Sequence, residues 1–450
     1  MAKRLIPNLA IFFILFNLNI DAQIINIPGD YSTIQEGIDN AIEGDTVLVA
    51  PDIYFENLRF NGVDIILASH FLITGQESFI EQTIIDGDGK NAVIQLENGE
   101  TNAAKIIGFT LQHGSNDENE DWHLYGGGIV CVNASPTILK NRIVNCTNSY
   151  FDYGDFGGIY CRNSNAIIEG NQMDSLSGNF VTKFGAIVAH NSNLTINNNT
   201  ISKTQGGYCW QCAGISADSS DLNISGNLIL EGNFDGGPQS SSVKLFNCNS
   251  ILSNNTMTGE VALNYENTIS LINNIIQSPS QEYAITEMSQ SNANISATYN
   301  NVKGNWTGIG NMDTDPMFAD AGNGNYELLE VSPCIDTGDP TMYDPDGTRS
   351  DIGAFYFDQG TTSVFENPQV QIASIYPNPA KNFVQIDLVD IDEAELSIFS
   401  MDGRLIKSKL LTETSNFVSL DMKLTGVYYF ILKNSGSFLL TQKIIIIKQY

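Results

Sequence analysis

Three ionisable residues, Arg162, His190 and Asp218, stand 28 positions apart in the chain, and Lys244 follows 26 positions after the last. A cation, an imidazole and a carboxylate held side by side are a set that can bind an anion and move protons on it. Elimination beside a carboxylate needs a group to neutralise that carboxylate, a base for the α-proton and an acid for the leaving group. Arg162 could bind the carboxylate, His190 could act as base or acid, and Asp218 could orient the imidazole. The competing reading is a charged ladder on a solvated strand, with side chains pairing along the stack. Both readings require that 28 residues bring the chain back to the same place.

The sequence repeats in that way. Asn141-Arg-Ile143, Asn171-Gln-Met173, Asn199-Thr-Ile201, Asn227-Leu-Ile229 and Asn255-Thr-Met257 follow one another at 30, 28, 28 and 28 residues. Asn274-Ile-Ile276 and Asn300-Asn-Val302 continue the series more loosely, and Gly108-Phe-Thr110 precedes it. Twelve residues before each of the first five Asn stands a β-branched residue: Ile129, Ile159, Ile187, Ile215 and Val243. The period is too short for a propeller blade and lacks the leucine consensus of a leucine-rich repeat. It suits one coil of a parallel β-helix, with three strands and three turns, in which stacking pairs every strand edge and buries a continuous core. The recurring Asn is then expected to form a ladder inside the helix, its amide satisfying backbone groups of the next rung.

Side chains of a strand alternate between faces. The pattern sends Ile129 and Cys131, Ile159 and Cys161, Ile187 and Ala189, Ile215 and Ala217, and Val243 and Leu245 inward, with Cys131 and Cys161 stacked as thiols. It sends Val130 and Val132, Tyr160 and Arg162, Val188 and His190, Ser216 and Asp218, and Lys244 and Phe246 outward. Arg162, His190 and Asp218 should therefore form a column on three rungs, with Lys244 near its end. Insertions of variable sequence precede these strands, at 112–127, 147–157, 177–185, 204–213 and 231–241. Trp122, Tyr153 and Trp210 in them, with Tyr160 on the strand, are candidate sugar-stacking rings. The alternative is that these rings pack the insertions onto the wall.

Ile27-Pro-Gly-Asp-Tyr-Ser-Thr-Ile-Gln-Glu-Gly-Ile-Asp-Asn-Ala41, Gly44-Asp45-Thr46-Val47, Asp52-Ile-Tyr-Phe-Glu56 and Thr83-Ile-Ile-Asp-Gly-Asp-Gly89 complete the pattern. With the repeat they resemble the pectin-lyase-like right-handed β-helix superfamily over residues 24 to 311, the first of them its N-terminal helical cap and first rung. The resemblance implies an all-β right-handed parallel β-helix over 23–311 and a polysaccharide as partner, but not one activity, because one fold hosts many. A polygalacturonase-like inverting pair needs two placed carboxylates, and the outward face offers only Asp218. The paired aspartates of a pectin methylesterase are missing too. A lyase that uses Lys and Arg on neighbouring rungs is not excluded in this way, with Arg162, His190 and Lys244 as substitutes for its usual residues; a non-catalytic glycan-binding or adhesive surface protein is the alternative.

From Asp313 the periodicity stops, and 312–358 resembles a segment that closes such helices in surface proteins. Asp344, Asp346 and Asp351 there have partial calcium-loop spacing without the terminal bidentate Glu. They read either as a Ca2+ site or as an Asp-rich turn. Residues 359–373 are polar and read as a linker. Beyond it, short apolar segments alternate with turns in the pattern of a small β-sandwich. Tyr376-Pro-Asn-Pro379, Met401-Asp-Gly-Arg404, Leu424-Thr-Gly-Val-Tyr-Tyr429 and Lys443-Ile-Ile-Ile-Ile-Lys448 resemble the C-terminal sorting domain of type IX secretion cargo over 374–450. That implies the type IX machinery as a partner and an outer-surface or released destination.

Lys3 and Arg4, the apolar run Leu9 to Phe16 and the small residues up to Ala22 form the layout of a secretory signal peptide, 1–22, too short to span a bilayer. A formal charge of −30 gives no basic stripe for nucleic acid. It also disfavours a bare polyuronate unless a cation bridges it. Seven cysteines cannot all pair within one chain, and Cys209-x-x-Cys212 lacks the second pair of a zinc site. A monomer is expected.

Overall fold

The computed structural model describes residues 22–115, 125–148, 155–179, 183–207, 211–235, 241–278, 282–287 and 291–359. Beyond these it describes 373–376, 380–381, 383–388, 393–400, 405–412, 415–420, 426–434 and 437–446. Residues 1–21, all of the signal-peptide segment but its last residue, lie outside them. The chain forms two compact units, one of residues to Asp344 with Thr348–Phe357, the other of Pro345–Gly347 with Asp358 onward.

The first unit is a parallel β-helix. Its first sheet has eleven strands, from Ile24–Ile27 to Asn294–Thr298; the second and third have ten each among the described residues. All pairing within these sheets is parallel, and it stays in register from Ile129 to Val243, so Ile129, Ile159, Ile187, Ile215 and Val243 stack directly above one another; the register shifts once, between Ser241 and Val243 where they meet the Glu260–Asn264 strand. Each is fully buried, as are Cys131, Cys161, Ala189, Ala217 and Leu245 between them. The inward set expected from alternation is the core. Cys131 and Cys161 are free thiols, and the hydrogen bond between their side chains together with burial pushes the Cys131 thiol well up.

Each coil turns from the first sheet to the third through one left-handed residue followed by the ladder Asn. Lys140, Gly170, Asn198, Gly226, Asn254, Asn273 and Tyr299 hold φ between 52° and 66° and immediately precede Asn141, Asn171, Asn199, Asn227, Asn255, Asn274 and Asn300. This explains the Asn and Gly content, because those residues enter the left-handed region most readily. In the middle of the ladder, Asn199 Nδ2 donates to Ile168 O at 2.9 Å and to Asn227 Oδ1 at 3.0 Å, and Asn199 N donates to the same Oδ1 at 2.9 Å. The same bonds recur at every rung. Asn311, beyond the expected series, ends the ladder by accepting from Asn300 N at 2.9 Å.

The open N-terminal end of the core is covered as expected by a seven-residue helix, Ile34–Asn40, which buries Ile34, Gly37 and Ile38. Thr33 caps it by accepting from Glu36 N, and the Glu56 carboxylate accepts from Ile34 N and Gln35 N at 2.9 and 3.0 Å. A Cβ on Gly37 would stand 2.8 Å from Ile27 Cδ1 and 3.1 Å from Val47 Cγ1, so a larger residue there would displace the Ile27 side chain.

The insertions differ from loops. Thr147–Asn148, Ser177–Asn179, Gln205–Gly207 and Asn233–Asp235 pair as a fourth parallel sheet. Insertions starting at a constant offset in successive coils are themselves brought into register, and their backbone groups pair rather than face water. The second-sheet strands that follow are correspondingly long, as in Asp155–Arg162, Lys183–His190 and Gln211–Asp218. Where the ladder spacing falls from 28 to 19 residues, between Asn255 and Asn274, the fourth sheet has ended.

The closing segment pairs Phe318–Asp320 with Asn325–Leu328 and buries Leu328, Cys334 and Ile352 against Ile275. Asp351 holds it together: Oδ1 accepts from Asp336 N and Oδ2 from Phe357 N, both at 2.7 Å. Burial raises the Asp351 carboxyl to about 6; the two N–H donors oppose this, and Asp344 and Asp336 add to it. Because the folded value exceeds the unfolded one, this group's contribution is complete below an ordinary carboxylate pKa of about 4. It is lost as pH rises through about 6. Hydrogen exchange, corrected for intrinsic rate, should show the Ile352 and Gly353 amides losing protection across that window. The loss should vanish in Asp351→Asn; a pH-independent wild type would refute it.

Among its described residues the second unit contains two antiparallel sheets. Ala373–Tyr376, Phe383–Leu388 and Ser415–Ser419 form one; Leu405–Leu411, Ala394–Ser400, Gly426–Asn434 and Ser437–Ile446 form the other. Val384, Ile386, Leu396, Ile398, Phe430, Leu432 and Ile444 share one core, separate from that of the β-helix. Leu405–Leu411 directly follows the quoted Met401–Arg404 motif.

Candidate functional site

The candidate site lies on the outer wall of the second sheet. Register pairs Arg162 with His190 and His190 with Asp218, on three successive rungs about 4.8 Å apart. Phe246 and then Asn264 continue the column. Each strand ends there: Asn163, Asn191 and Ser219, the next residues, are left-handed and turn the chain toward the first sheet. The three ionisable residues are half-buried, which strengthens their mutual fields relative to bulk water. Asp218 Oδ1 accepts from Ser219 Oγ at 2.8 Å. The column expected from spacing is thus assembled.

Two of its expected companions are placed differently. Tyr160 is only 1% exposed and sits in a small apolar cluster with Ala92, Val130 and Val188. It was expected as a sugar-stacking ring, but the outward apolar residues form a second, thin core outside the sheet and enclose it. Its ring centroid lies 5.8 Å from that of His190, tilted by 47°, so it is a packing platform beside the imidazole. Lys244 pairs with Ser216 and Ala262, one column over, and is 3% exposed. Alternation gave its direction correctly, but its rung neighbours are small and buried, and so is the lysine. Burial lowers its pKa, and Glu260 works the other way. Trp122, Tyr153 and Trp210 lie outside the described residues, as does Cys209.

Sequence reasoning missed Glu260. It is fully buried, with Oε1 accepting from Ser241 Oγ at 3.1 Å and Oε2 from Thr286 Oγ1 at 2.8 Å. It starts the strand of the short coil, where the 28-residue spacing fails, so no periodic signal pointed to it. It also missed a His–Asp pair on the third sheet. His113 Nδ1 lies 2.8 Å from Asp86 Oδ2, which also accepts from Gln112 Nε2 at 2.8 Å, while Oδ1 accepts from Asp88 N at 2.9 Å. Burial pushes the Asp86 carboxyl up, but these bonds outweigh it and hold the pKa below its usual value. Asp86 stands in the quoted Thr83–Gly89 turn, and His113 follows one coil later; nothing in a single motif joins them.

The acidic cluster of the closing segment serves the backbone. Besides the two Asp351 bonds, Asp344 Oδ2 accepts from Asp351 N at 2.7 Å. Asp346 belongs with the second unit, where Oδ2 accepts from Gln359 N at 3.3 Å. Among the described residues no group of three or more His, Cys, Asp or Glu side chains converges to hold a metal. Of the two readings of these aspartates, the Asp-rich turn accounts for the bonds they make.

Residues 374–448 match the family of the secretion system C-terminal sorting domain. The chain is a parallel β-helix with a type IX secretion sorting tail, a tail that marks it for secretion and export to the cell surface. No curated protein matches it. Among solved structures it is similar to the enzymatically active domain of bacteriophage CBA120 tailspike protein 2, at 11% identity and a TM-score of 0.25, covering 95% of this chain and 76% of that one. It is also similar to tailspike protein gp49 of Acinetobacter baumannii bacteriophage Fri1, a capsular polysaccharide depolymerase, at 10% identity and a TM-score of 0.20, covering 95% and 78%. Likenesses this loose assign no shared site.

Proposed function

We propose that the protein is an exported glycan-interacting β-helix whose Arg162–His190–Asp218 column engages a polysaccharide and supports lyase-type cleavage. The observation that carries the reading is the in-register alignment of a guanidinium, an imidazole and a carboxylate at the lip of one wall. In the elimination, Arg162 neutralises the uronate carboxylate and His190 takes the proton α to it. The electron pair left behind forms the C=C bond as the C–O bond to the neighbouring sugar breaks, and the departing oxygen is protonated by water or by the imidazolium. Asp218 keeps the imidazole oriented.

Product carrying the new double bond is expected from wild type on a uronate-containing glycan. Arg162→Ala and His190→Ala should each lower its rate at least about a hundredfold, read as enone absorbance. Unchanged rates in both variants would remove this site. A second reading, a non-catalytic glycan-binding or adhesive protein, is favoured by the burial of Lys244, which takes one cation away from the exposed column. Glycan retention without product, lost in Arg162→Ala, would select it.

A further inference from the structure

The first sheet presents a different wall. Over its last five rungs, from Asn193–Asn197 to Asn294–Thr298, outward side chains are mostly short and polar, and they frame an open groove of about 420 Å³. Asp221 and Asn249 occupy one column, joined by an Asn249 Nδ2 to Asp221 Oδ1 bond of 3.0 Å. Asn223, Ile251, Ser270 and Ser296 occupy the next, two residues along each strand. Ile251 is 51% exposed among them, and carbon atoms rather than nitrogen or oxygen form most of the groove's surface. The groove contains one carboxylate and no cation among its lining residues. Exposed strand positions commonly carry the long charged side chains that fill such space; here they are absent from the groove, and the space stays open.

We infer that this groove binds a linear, uncharged polysaccharide laid along the axis of the β-helix. The inference rests on the glycan reading above and adds a second subsite with its own ligand class. Amides and hydroxyls both donate and accept hydrogen bonds, as sugar hydroxyls do. Ile251 offers an apolar contact to the C–H face of a pyranose ring. Rungs repeat about every 4.8 Å, close to the length of one pyranose unit in an extended chain, so successive sugars meet equivalent side chains. A polyanion is disfavoured by Asp221 and by the formal charge of −30. On a separate wall from the Arg162 column, the groove can hold a neutral glycan while the column addresses an acidic one.

The test uses the full chain, with soluble glucomannan and hydroxyethyl cellulose as neutral probes and polygalacturonate as the anionic one. Binding is read by affinity electrophoresis and titration calorimetry. A neutral probe should bind, and Ile251→Arg should weaken it about tenfold or more, a change of about 1.4 kcal/mol; Ile251→Val should retain it. The residue is exposed, so melting temperatures should be unchanged and exclude misfolding. Binding equally tight in Ile251→Arg overturns the groove. Neutral-probe binding lost instead in Arg162→Ala overturns it too, and leaves the proposed column standing. If the neutral probes fail to bind while polygalacturonate binds, the groove fails alone; if no probe binds, both readings fall.

Discussion

Asn227→Ala is expected to lower the stability of the β-helix by about 3–5 kcal/mol, although it removes only a small polar side chain. Asn227 is fully buried. Its Nδ2 donates to Ile196 O at 2.8 Å, to Ser225 O at 3.0 Å and to Asn255 Oδ1 at 3.0 Å, and its Oδ1 accepts from Asn199 N at 2.9 Å. Alanine strips the side-chain partner from a buried carbonyl and a buried N–H at once, and each such group costs about 1–3 kcal/mol when left unmade. Because each rung is stabilised only by its neighbours, the defect should also divide the coils on either side into separately unfolding blocks. Denaturant unfolding should show the lower midpoint and a broadened transition.

Asn227→Asp sharpens the test. A buried carboxylate facing the Ile196 carbonyl is tolerated only when protonated, so its folded pKa is raised. The variant's deficit relative to wild type should therefore be smallest below about pH 4 and grow as pH rises. Asn223→Ala, at an exposed position four residues before Asn227 in the same coil, should change stability by less than about 0.5 kcal/mol. A loss under about 1 kcal/mol in Asn227→Ala would mean that the ladder is tolerated rather than required.

The ladder was legible because a buried amide must recur at the same point of each coil, and a constant spacing of 28 records that geometry directly. The Arg162–His190–Asp218 column was legible for the same reason, since register is fixed wherever one face is buried. Alternation, however, gives the direction of a side chain and not what covers it. Tyr160 and Lys244 point outward as expected and are nonetheless enclosed. Glu260 was hidden by the short coil. The helical segments Phe71–Thr74 and Ser78–Gln82, inserted between Ser69 and Thr83, also interrupt the period and left no repeat to read. The fourth sheet was missed because its strands are only two or three residues long and are selected by stacking rather than by any pattern of their own.

A chain ending at Asp358 is expected to lose surface export altogether while its β-helix stays folded. The reason is that the two units have separate cores. Phe430, Leu432, Ile398 and Ile444 bury one another within the sorting domain, and none belongs to the cluster that runs through the coils. The point variant Phe430→Asp makes the same case without shortening the chain. Phe430 is fully buried in a central strand, between Ala394–Ser400 and Ser437–Ile446. A charge there costs several kcal/mol in a unit of fewer than a hundred residues, enough to unfold a domain of ordinary stability. In a host with type IX machinery, wild type should be found at the cell surface or in the medium, and both altered chains within the envelope. Protease shaving of intact cells and fractionation read the difference, and the melting transition of the purified β-helix should be unchanged in both. Surface delivery of the truncated chain at the wild-type level would show that the sorting domain is dispensable and that the β-helix carries its own address. Surface delivery of Phe430→Asp alone would show that the machinery reads the end of the chain rather than the folded domain.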